Sequence, residues 1–300
     1  MSVTVRVPAK VNVQLAVGAA RPDGYHDLAN VFLAVGLFDE VTVTEADELR
    51  VTCEGPDADQ VPLDRTNLAA RAAEALAERY GRTPDVHIHI AKDIPVAGGM
   101  AGGSADGAGA LLACDALWGT GASRDELLDI CAELGSDVPF SLVGGAALGT
   151  GRGERLTALD AGGTFHWVFA MADRGLSTPA VFREFDRLGE GTDIPEPVAS
   201  RDLIDALAKG DPDALAATVS NDLQPAALSL FPALADTLAA GRAAGALTAL
   251  VSGSGPTTAF LTRDPESAAR VAQVLRASGT CRTVRTASGP VPGAKVLGGA

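Results

Sequence analysis

A glycine loop that runs directly into an alanine-rich helix is the feature that most constrains this chain. The segment at residues 95–112 reads PVAGGMAGGSADGAGALL. Such a junction places unpaired backbone N–H groups at the positive end of a helix, where an anion binds. Glycines at positions 98, 99, 102 and 103 carry no Cβ to hold a ligand away, and they tolerate φ > 0. The segment therefore predicts a site for the polyphosphate of a nucleotide, with a Gly/Ala-rich turn and a tightly packed helix as the alternative.

The loop also carries side chains suited to a phosphate or to a metal ion bound with it. Neither Gly-x-x-x-x-Gly-Lys-[Ser/Thr] nor Gly-x-Gly-x-x-Gly occurs in this loop, so the P-loop and the dinucleotide fingerprint are excluded. Ser104 lies at the expected helix start, where it can cap the helix or offer its hydroxyl to a phosphate or Mg²⁺. Asp106 can meet the metal or favour the helix dipole. The predicted nucleotide-binding residues of the loop are Pro95, Val96, Ala97, Gly98, Gly99, Met100, Ala101, Gly102, Gly103, Ser104 and Ala105.

Composition and charge limit the classes of partner. The 300 residues fit one large domain or two of ordinary size, and a net charge of −14 argues against nucleic acid or an anionic membrane. An anionic small-molecule substrate then needs a local cluster of Lys, Arg and helix N-termini. No apolar run approaches about 18 residues and no signal peptide opens the chain, so a cytoplasmic protein is expected. The four cysteines form no C-x-x-C pair and are expected to be reduced. A monomer or a weak homodimer is expected.

The hydrophobic pattern predicts an α+β fold. Residues 3–17 alternate on both sides of Pro8, which predicts two strands or one strand broken at a bulge. The pattern restarts with a strand after about residue 156, so we expect two domains, at residues 1–157 and 158–300. The Gly/Pro-rich tail from residue 288 is expected to be loose. The second half alternates predicted helices at 201–209, 211–220, 232–244 and 265–277 with predicted strands at 246–251 and 257–262.

Three separated segments together resemble the motifs of one family, the GHMP kinases. They read PAKVNVQLAV at 8–17, PVAGGMAGGSADGA at 95–108 and LVSGSGPTTAFL at 250–261. Two further segments, RPDGYHDL at 21–28 and LGSDVPFSLVGGAALGTGRGE at 134–154, resemble one branch of that family more narrowly. That branch acts on 4-diphosphocytidyl-2-C-methyl-D-erythritol in the non-mevalonate route to isoprenoid precursors.

The resemblance implies a two-domain α+β GHMP kinase fold. An N-terminal half like ribosomal protein S5 would carry the ATP loop, and the substrate would lie in the cleft between the halves. The resemblance also implies ATP with Mg²⁺ and transfer of a phosphoryl group to the 2-hydroxyl of the cytidine-linked substrate. Ala105 stands where the family has a second serine, so contacts to phosphate or Mg²⁺ depend more on Ser104 and on backbone N–H groups. The alternatives are another GHMP kinase, of the homoserine or mevalonate type, and a nucleotide-binding protein without catalysis.

Lys10 and Asp137 are the candidate catalytic residues. A kinase that acts on an alcohol must deprotonate or orient the hydroxyl and neutralise charge on the transferred group. Asp137 lies in a turn shortly before a proline, and the resemblance implies that it is the base; a turn or N-cap aspartate is the alternative. Lys10 lies among apolar strand residues, and a lysine beside an aspartate favours the ionised carboxylate. A merely solvated lysine is the alternative there.

Aromatic residues predict the substrate pocket. Tyr25 and Phe182 can sandwich a pyrimidine, and His26 or the nearby backbone can contact its edge. One of the two tyrosines of the chain lies in a Gly-Tyr-His turn rather than in a core strand, which favours a binding role over packing.

Two asparagines and a second glycine-containing loop complete the predicted site. Asn12 lies on the same strand face as Lys10 and is predicted to hydrogen-bond the hydroxyls of the substrate. Asn67 resembles the adenine contact of the family, with a helix N-cap as the alternative. The SGSGP loop at 252–256 resembles a segment that borders the substrate, with a tight turn between strands as the alternative.

Overall fold

The computed structural model of the chain describes residues 1–96 and 98–298, which form an α+β structure with two sheets. The helices within these residues are α1 (Leu68–Arg79), α2 (Gly102–Trp118), α3 (Arg124–Leu134), α4 (Val138–Val143), α5 (Thr178–Leu188), α6 (Arg201–Lys209), α7 (Pro212–Thr218), α8 (Gln224–Leu230), α9 (Leu234–Ala243) and α10 (Pro265–Ser278). The strands are β1 (Ser2–Ala20), β2 (His26–Glu45), β3 (Arg50–Glu54), β4 (Val86–Ala91), β5 (Ala146–Thr150), β6 (Arg155–Leu159), β7 (Phe165–Met171), β8 (Ser220–Asn221), β9 (Thr248–Val251), β10 (Thr258–Thr262), β11 (Thr283–Gly289) and β12 (Lys295–Leu297).

The first sheet is built on one long hairpin. β1 and β2 pair antiparallel over nearly their whole length, and the register shifts between Pro8 and Ala9. Because proline gives no N–H to a ladder, this irregularity confirms the single strand with a bulge that the sequence predicts as one of two possibilities. The strand order is β12-β1-β2-β4-β3, while β5 pairs with β2 and β6, and β8 pairs with β1. α1 and α2 pack against each other and over this sheet.

The second sheet is antiparallel, in the order β11-β7-β10-β9. α9 and α10 pack on it, and α10 presents Val271, Ala272 and Leu275 as a buried stripe at helical spacing. The central strand β7 is buried along most of its length, including Trp167 and Phe169. The predicted helices and strands of the second half are confirmed as α6, α7, α9, α10, β9 and β10.

Some elements lie outside what the hydrophobic pattern predicts. The tail after residue 288 is not uniformly loose, since β12 pairs with β1 at the edge of the first sheet. α4 is too short for a helical period to be seen in its sequence. Two strands of the second half, β8 and β12, join the first sheet through β1. The boundary between residues 157 and 158 stays a prediction.

The cysteines are free thiols, as their spacing predicts. Burial raises the pKa of Cys114 and that of Cys131 to about 12, so both remain neutral within the core. Among residues 1–96 and 98–298, none of the helices has the length and apolar character needed to cross a membrane.

Helix α2 lies close to the first sheet because the apolar residues of its N-terminal half are all glycine or alanine. Ala105, Ala108 and Gly109 are buried there. A Cβ at Gly109 would lie 2.8 Å from Val41 Cγ2 and 2.9 Å from Val7 Cγ2, which is closer than side chains approach one another. The absent side chain therefore sets the distance between α2 and the β1–β2 hairpin, and so the position of the glycine loop.

Gly109→Ala is expected to destabilise the protein by about 1–3 kcal/mol, because an added methyl overpacks a site that has no room. This outcome runs against helix propensity, which favours alanine by about 1 kcal/mol. Gly103→Ala in the same helix is the matched control, since the nearest atom to its Cβ would be Leu68 Cδ1 at 4.0 Å. Urea unfolding should show a loss for the first variant and no loss for the second. Equal stabilisation by both substitutions would contradict the close-approach explanation.

Candidate active site

A cleft of about 680 Å³ brings most of the predicted site residues together. Its walls come from β1, the turn before β2, the glycine loop, the start of α4, the β5–β6 turn, α5 and the turn at 253–255. The predicted residues that line it are Lys10, Asn12, Tyr25, His26, Asp137, Phe182, Gly98, Gly99, Ala101, Gly102, Gly103 and Ser104.

The glycine loop presents only part of its length to the cleft. Met100 and Ala105 are fully buried, and their predicted contact with the nucleotide stays a prediction. Pro95 and Val96 line a separate small cavity on the other side of the loop. Ala97 lies outside the described residues.

Helix α2 starts earlier than the sequence predicts. Its N-cap is Ala101, which has φ 62°, and its first residue is Gly102. Ser104 is therefore the third residue of the helix, and the prediction that it caps the helix is wrong. Its hydroxyl remains on the wall of the cleft, so its predicted contact with phosphate or Mg²⁺ stays a prediction.

The SGSGP loop at 252–256 packs against the glycine loop and holds it in position. Gly99 has φ 71°, and a Cβ there would lie 2.1 Å from the carbonyl oxygen of Ser252. The Ser252 hydroxyl donates to the Gly99 carbonyl at 3.0 Å. Asn221 donates from Nδ2 to the carbonyls of Val251 and Gly253, both at 2.8 Å, and so holds the second loop in place. The two glycine-containing segments, far apart in sequence, form one wall of the cleft.

Lys10 connects three parts of this wall. The residue is 4% exposed, and its Nζ donates to Asn12 Oδ1 at 2.6 Å and to the Gly99 carbonyl at 2.9 Å. The same Nζ lies 3.5 Å from Asp137 Oδ2. Lys10 is thus not the solvated lysine of the alternative interpretation, because it is buried and its ammonium lies at the junction of β1, the glycine loop and α4.

Asp137 and Asn12 differ in how many hydrogen bonds their side chains make within the protein. Asp137 stands at the N-cap position of α4, but its carboxylate caps no backbone N–H, and 31% of its side chain is exposed to the cleft. The helix-cap alternative therefore does not account for it. Asn12 donates from Nδ2 to Asn30 Oδ1 at 2.7 Å and accepts from Lys10, so its side chain orients the lysine. Its predicted contact with substrate hydroxyls stays a prediction.

The aromatic residues form one end of the cleft. The rings of His26 and Phe182 have centroids 4.9 Å apart and are inclined by 32°. His26 is buried, and its Nε2 lies 2.8 Å from Asp186 Oδ1. Tyr25, in contrast, is 51% exposed, so a flat ligand can reach its ring.

Asn67 does not line this cleft. Its Oδ1 accepts from the N–H of Ala69 at 2.8 Å, and its Nδ2 donates to the carbonyl of Pro62 at 2.7 Å. The side chain is therefore the N-cap of α1, as the alternative interpretation holds. Leu68, the next residue, does line the cleft, and the adenine contact of Asn67 itself stays a prediction.

A buried charge cluster beneath the glycine loop is not predicted by the sequence. Lys92 Nζ lies 2.5 Å from Asp39 Oδ2 and 2.8 Å from Asp106 Oδ2, and all three side chains are at most 3% exposed. Asp39 also accepts from the N–H groups of Asp93 and Ile94, which lead into the loop. Asp106 is thus committed to Lys92, which corrects the expectation that it meets a metal or merely favours the helix dipole.

The electrostatics of this cluster follow from its burial. Burial raises the pKa of Asp106 to about 7, because a carboxylate without water is costly. Burial lowers the pKa of Lys92, but Asp106 and Asp39 outweigh it and raise that pKa above its ordinary value. A Cβ on Gly102 would lie 2.9 Å from Lys92 Nζ, so the ammonium lies directly under the first turn of α2. The cluster thereby ties the end of β4 to the start of this helix.

Comparison with known proteins identifies similar chains. The family "GHMP kinases N terminal domain" matches residues 67–145, and "GHMP kinases C terminal" matches residues 203–281. A protein of Streptomyces coelicolor named 4-diphosphocytidyl-2-C-methyl-D-erythritol kinase is 83% identical over 298 residues, covering 99% of this chain and 100% of its own.

Solved structures agree with the sequence comparison. The crystal structure of a 4-(cytidine 5'-diphospho)-2C-methyl-D-erythritol kinase matches with a TM-score of 0.75 and 33% identity, over 98% of this chain and 100% of the other. A homoserine kinase from Cytophaga hutchinsonii matches with a TM-score of 0.76 at 20% identity, over 99% of this chain and 97% of the other. This second likeness concerns the fold alone.

Lys92→Met is expected to destabilise the protein by about 3–5 kcal/mol, because it leaves two buried carboxylates without their counter-charge. Lys209→Met is the control, since Lys209 is exposed in the last turn of α6. Chemical denaturation at pH 7.5 should separate the two variants clearly. A loss at position 92 no larger than that at position 209 would contradict the assignment of the cluster as a support of the loop.

Proposed function

This chain belongs to the GHMP kinases, and we propose that it transfers the γ-phosphoryl group of ATP to the 2-hydroxyl of 4-diphosphocytidyl-2-C-methyl-D-erythritol. Its 83% identity to a protein named for that substrate, over the full length of both, supports the substrate. The observation that carries the proposal is the single cleft that holds an anion-binding loop, a lysine–aspartate pair and an aromatic pocket. A kinase for a nucleotide-linked alcohol needs all three.

The phosphates of ATP would bind at the glycine loop. The first residues of α2 line the cleft, so the unpaired N–H groups of its first turn would be available to the phosphates, and the helix dipole favours negative charge there. Gly102 and Gly103 allow the ligand to approach the backbone closely. Because Lys92 is fully engaged below the loop, these backbone groups carry most of the phosphate recognition on this side.

The Lys10–Asp137 pair would receive the acceptor hydroxyl. Asp137 is the proposed base, taking the proton from the 2-hydroxyl as that oxygen attacks the γ-phosphorus. Lys10 Nζ, held by Asn12 and the Gly99 carbonyl, would keep a positive charge next to the oxygens of the transferred group. The buried position of the lysine fixes that charge before substrate arrives, so no reorganisation is needed during the reaction.

Mg²⁺ fits this site as a companion of ATP rather than as an ion bound by protein alone. The described residues contain no cluster of three or more His, Cys, Asp or Glu side chains that could hold a metal. Mg²⁺ commonly binds through substrate phosphates with few protein ligands, and the hydroxyl of Ser104 is the proposed one here. When bound, Mg²⁺ neutralises charge on the phosphates.

The aromatic end of the cleft favours a cytidine-linked acceptor over the acceptors of other GHMP kinases. Homoserine and mevalonate contain no nucleobase, and so they would leave the rings of Tyr25 and Phe182 without a partner. Base–aromatic stacking contributes about 1–3 kcal/mol per base. The lysine–aspartate pair beside the phosphate loop argues against a nucleotide-binding protein without catalysis.

We further propose a cytoplasmic location and a monomer or weak homodimer. The four free thiols and a phosphorylated metabolite as substrate support the first.

A panel of phosphate acceptors offered with ATP and Mg²⁺ tests this function. A coupled assay of ADP release should show turnover with the cytidine-linked methylerythritol and none above background with homoserine or mevalonate. Free CMP should compete with the substrate and not with ATP. Turnover with homoserine or mevalonate, together with indifference to CMP, would remove the cytidine assignment and leave only the kinase.

Asp137→Asn is expected to lower kcat by about 10²–10⁴-fold, because the amide keeps the shape and loses the basicity. ATP affinity, measured by calorimetry, should change little. Asp129→Asn, on the exposed face of α3, is the control and should match the wild type. Near-wild-type turnover by the Asp137 variant would refute its role as base.

Tyr25→Ala and Phe182→Ala should each weaken the binding of substrate by about 1–3 kcal/mol and leave ATP affinity unchanged. The two losses should not be additive, because removal of one ring lets the base move away from the other. Tyr80→Ala removes a partly exposed aromatic ring outside the cleft and serves as the control. A substrate KM that stays unchanged in both variants would show that neither ring contacts the substrate.

A further inference from the structure

Arg152 lies at the aromatic end of the cleft, in the turn between β5 and β6. Its guanidinium carbon is 5.1 Å from the centroid of the Tyr25 ring, a cation–π arrangement. Nη2 makes one long hydrogen bond, to the carbonyl of Ala132 at 3.5 Å. A guanidinium has five N–H donors, so most of them are directed elsewhere.

The turn that carries Arg152 is held firmly against the start of β2. The N–H of Leu28 donates to the carbonyl of Gly151 at 2.8 Å, and Glu154 accepts from the backbone N–H of Arg152 at 2.7 Å. Gly151 and Gly153 have φ of 69° and 107°, which only glycine adopts readily. The arginine is therefore fixed beside the nucleoside pocket rather than beside the glycine loop.

Some of the charged side chains that line the cleft have an oppositely charged partner, and others have none. Lys10 faces Asp137, and His26 faces Asp186. Neither Arg152 nor Arg183, the two arginines that line the cleft, has a carboxylate within 4.0 Å of its guanidinium among residues 1–96 and 98–298. Of the two, Arg152 is the one whose guanidinium lies over the Tyr25 ring. In a chain with a net charge of −14, an arginine without an acidic partner in a ligand cleft calls for a ligand that supplies the negative charge.

We propose that Arg152 binds the diphosphate of the cytidine-linked substrate, an inference that rests on the proposed function. Only the ribose separates the base of a cytidine nucleotide from its first phosphate, so a base stacked on Tyr25 brings the diphosphate within reach of a cation over the same ring. The planar guanidinium matches phosphate oxygens with paired N–H donors. ATP would be bound at the other end of the cleft, where Lys10 Nζ meets the Gly99 carbonyl.

Arg152 would thereby determine specificity by the charge of the group that follows the ribose. The wild type should bind CDP more tightly than CMP, and CMP more tightly than cytidine. Because charge carries this preference, it should weaken as salt is added, whereas stacking of the base should not.

Inhibition constants for cytidine, CMP and CDP test the proposal with wild type, Arg152→Gln and Arg152→Lys. The glutamine variant should lose about 10- to 100-fold in affinity for CDP and less than twofold for cytidine, with the KM of ATP unchanged. The lysine variant should recover part of the CDP affinity, since it keeps the charge without the paired donors. Arg155→Gln is the matched control, because Arg155 is exposed three residues further on and does not line the cleft.

Three results would overturn the inference. An equal loss for cytidine and CDP in Arg152→Gln would show that the arginine only packs on Tyr25. A rise in the KM of ATP alone would assign it to the ATP phosphates. Wild-type protein that binds CDP no more tightly than cytidine would exclude a diphosphate site while leaving the proposed function in place. Failure of wild type to bind any of the three, with turnover on another acceptor, would instead refute the proposed function. Thermal melting of each variant checks that the fold is intact.

Discussion

The buried ammonium of Lys10 is the interaction on which the rest of the site depends. It donates hydrogen bonds to the Gly99 carbonyl and to Asn12, and it lies 3.5 Å from the carboxylate of Asp137. One charge therefore connects β1, the glycine loop and the start of α4. A buried lysine is tolerated only with partners that offset its lost hydration. The partners of Lys10 are Asn12 on β1, Gly99 in the glycine loop and Asp137 at the start of α4, which are the parts of the proposed site. The position of this proposed catalytic charge and the geometry of the glycine loop are therefore set by the same contacts.

The other buried charges of the first half extend this arrangement. Lys92, with Asp39 and Asp106, lies below the first turn of α2, and Gly109 allows the same helix to approach the sheet. The proposed anion site thus lies at the start of a helix that is held in place on two sides. The proposed binding of two polyanionic ligands by a chain with a net charge of −14 would depend on backbone N–H groups and on a few buried cations, which act locally against the overall charge.

Much of this arrangement could be predicted from the sequence where the signal is local. The glycine loop before a helix and the bulge at Pro8 both appear as expected. Features that depend on contacts between residues far apart in the sequence could not be predicted. Asp106 has the sequence context of a helix-dipole or metal residue, and only the fold brings Lys92 to it. β12 has no strong pattern of its own and forms because the edge of β1 is open to it. The N-cap of α2 lies at Ala101, three residues before the predicted Ser104, because glycines let the helix begin earlier than a polar cap would suggest.

Phosphorus NMR of the reaction product is the most direct test of the proposed transfer of a phosphoryl group from ATP to the 2-hydroxyl of the acceptor. Carbon 2 of the acceptor carries a methyl group and no hydrogen, so a phosphate on its oxygen has no carbinol proton three bonds away. Wild-type enzyme with ATP and the cytidine-linked methylerythritol should therefore give one new phosphomonoester signal without coupling to a carbinol proton. A signal split by such protons would mean transfer to another hydroxyl, and inorganic phosphate alone would mean ATP hydrolysis; either result would contradict the role assigned to Lys10 and Asp137.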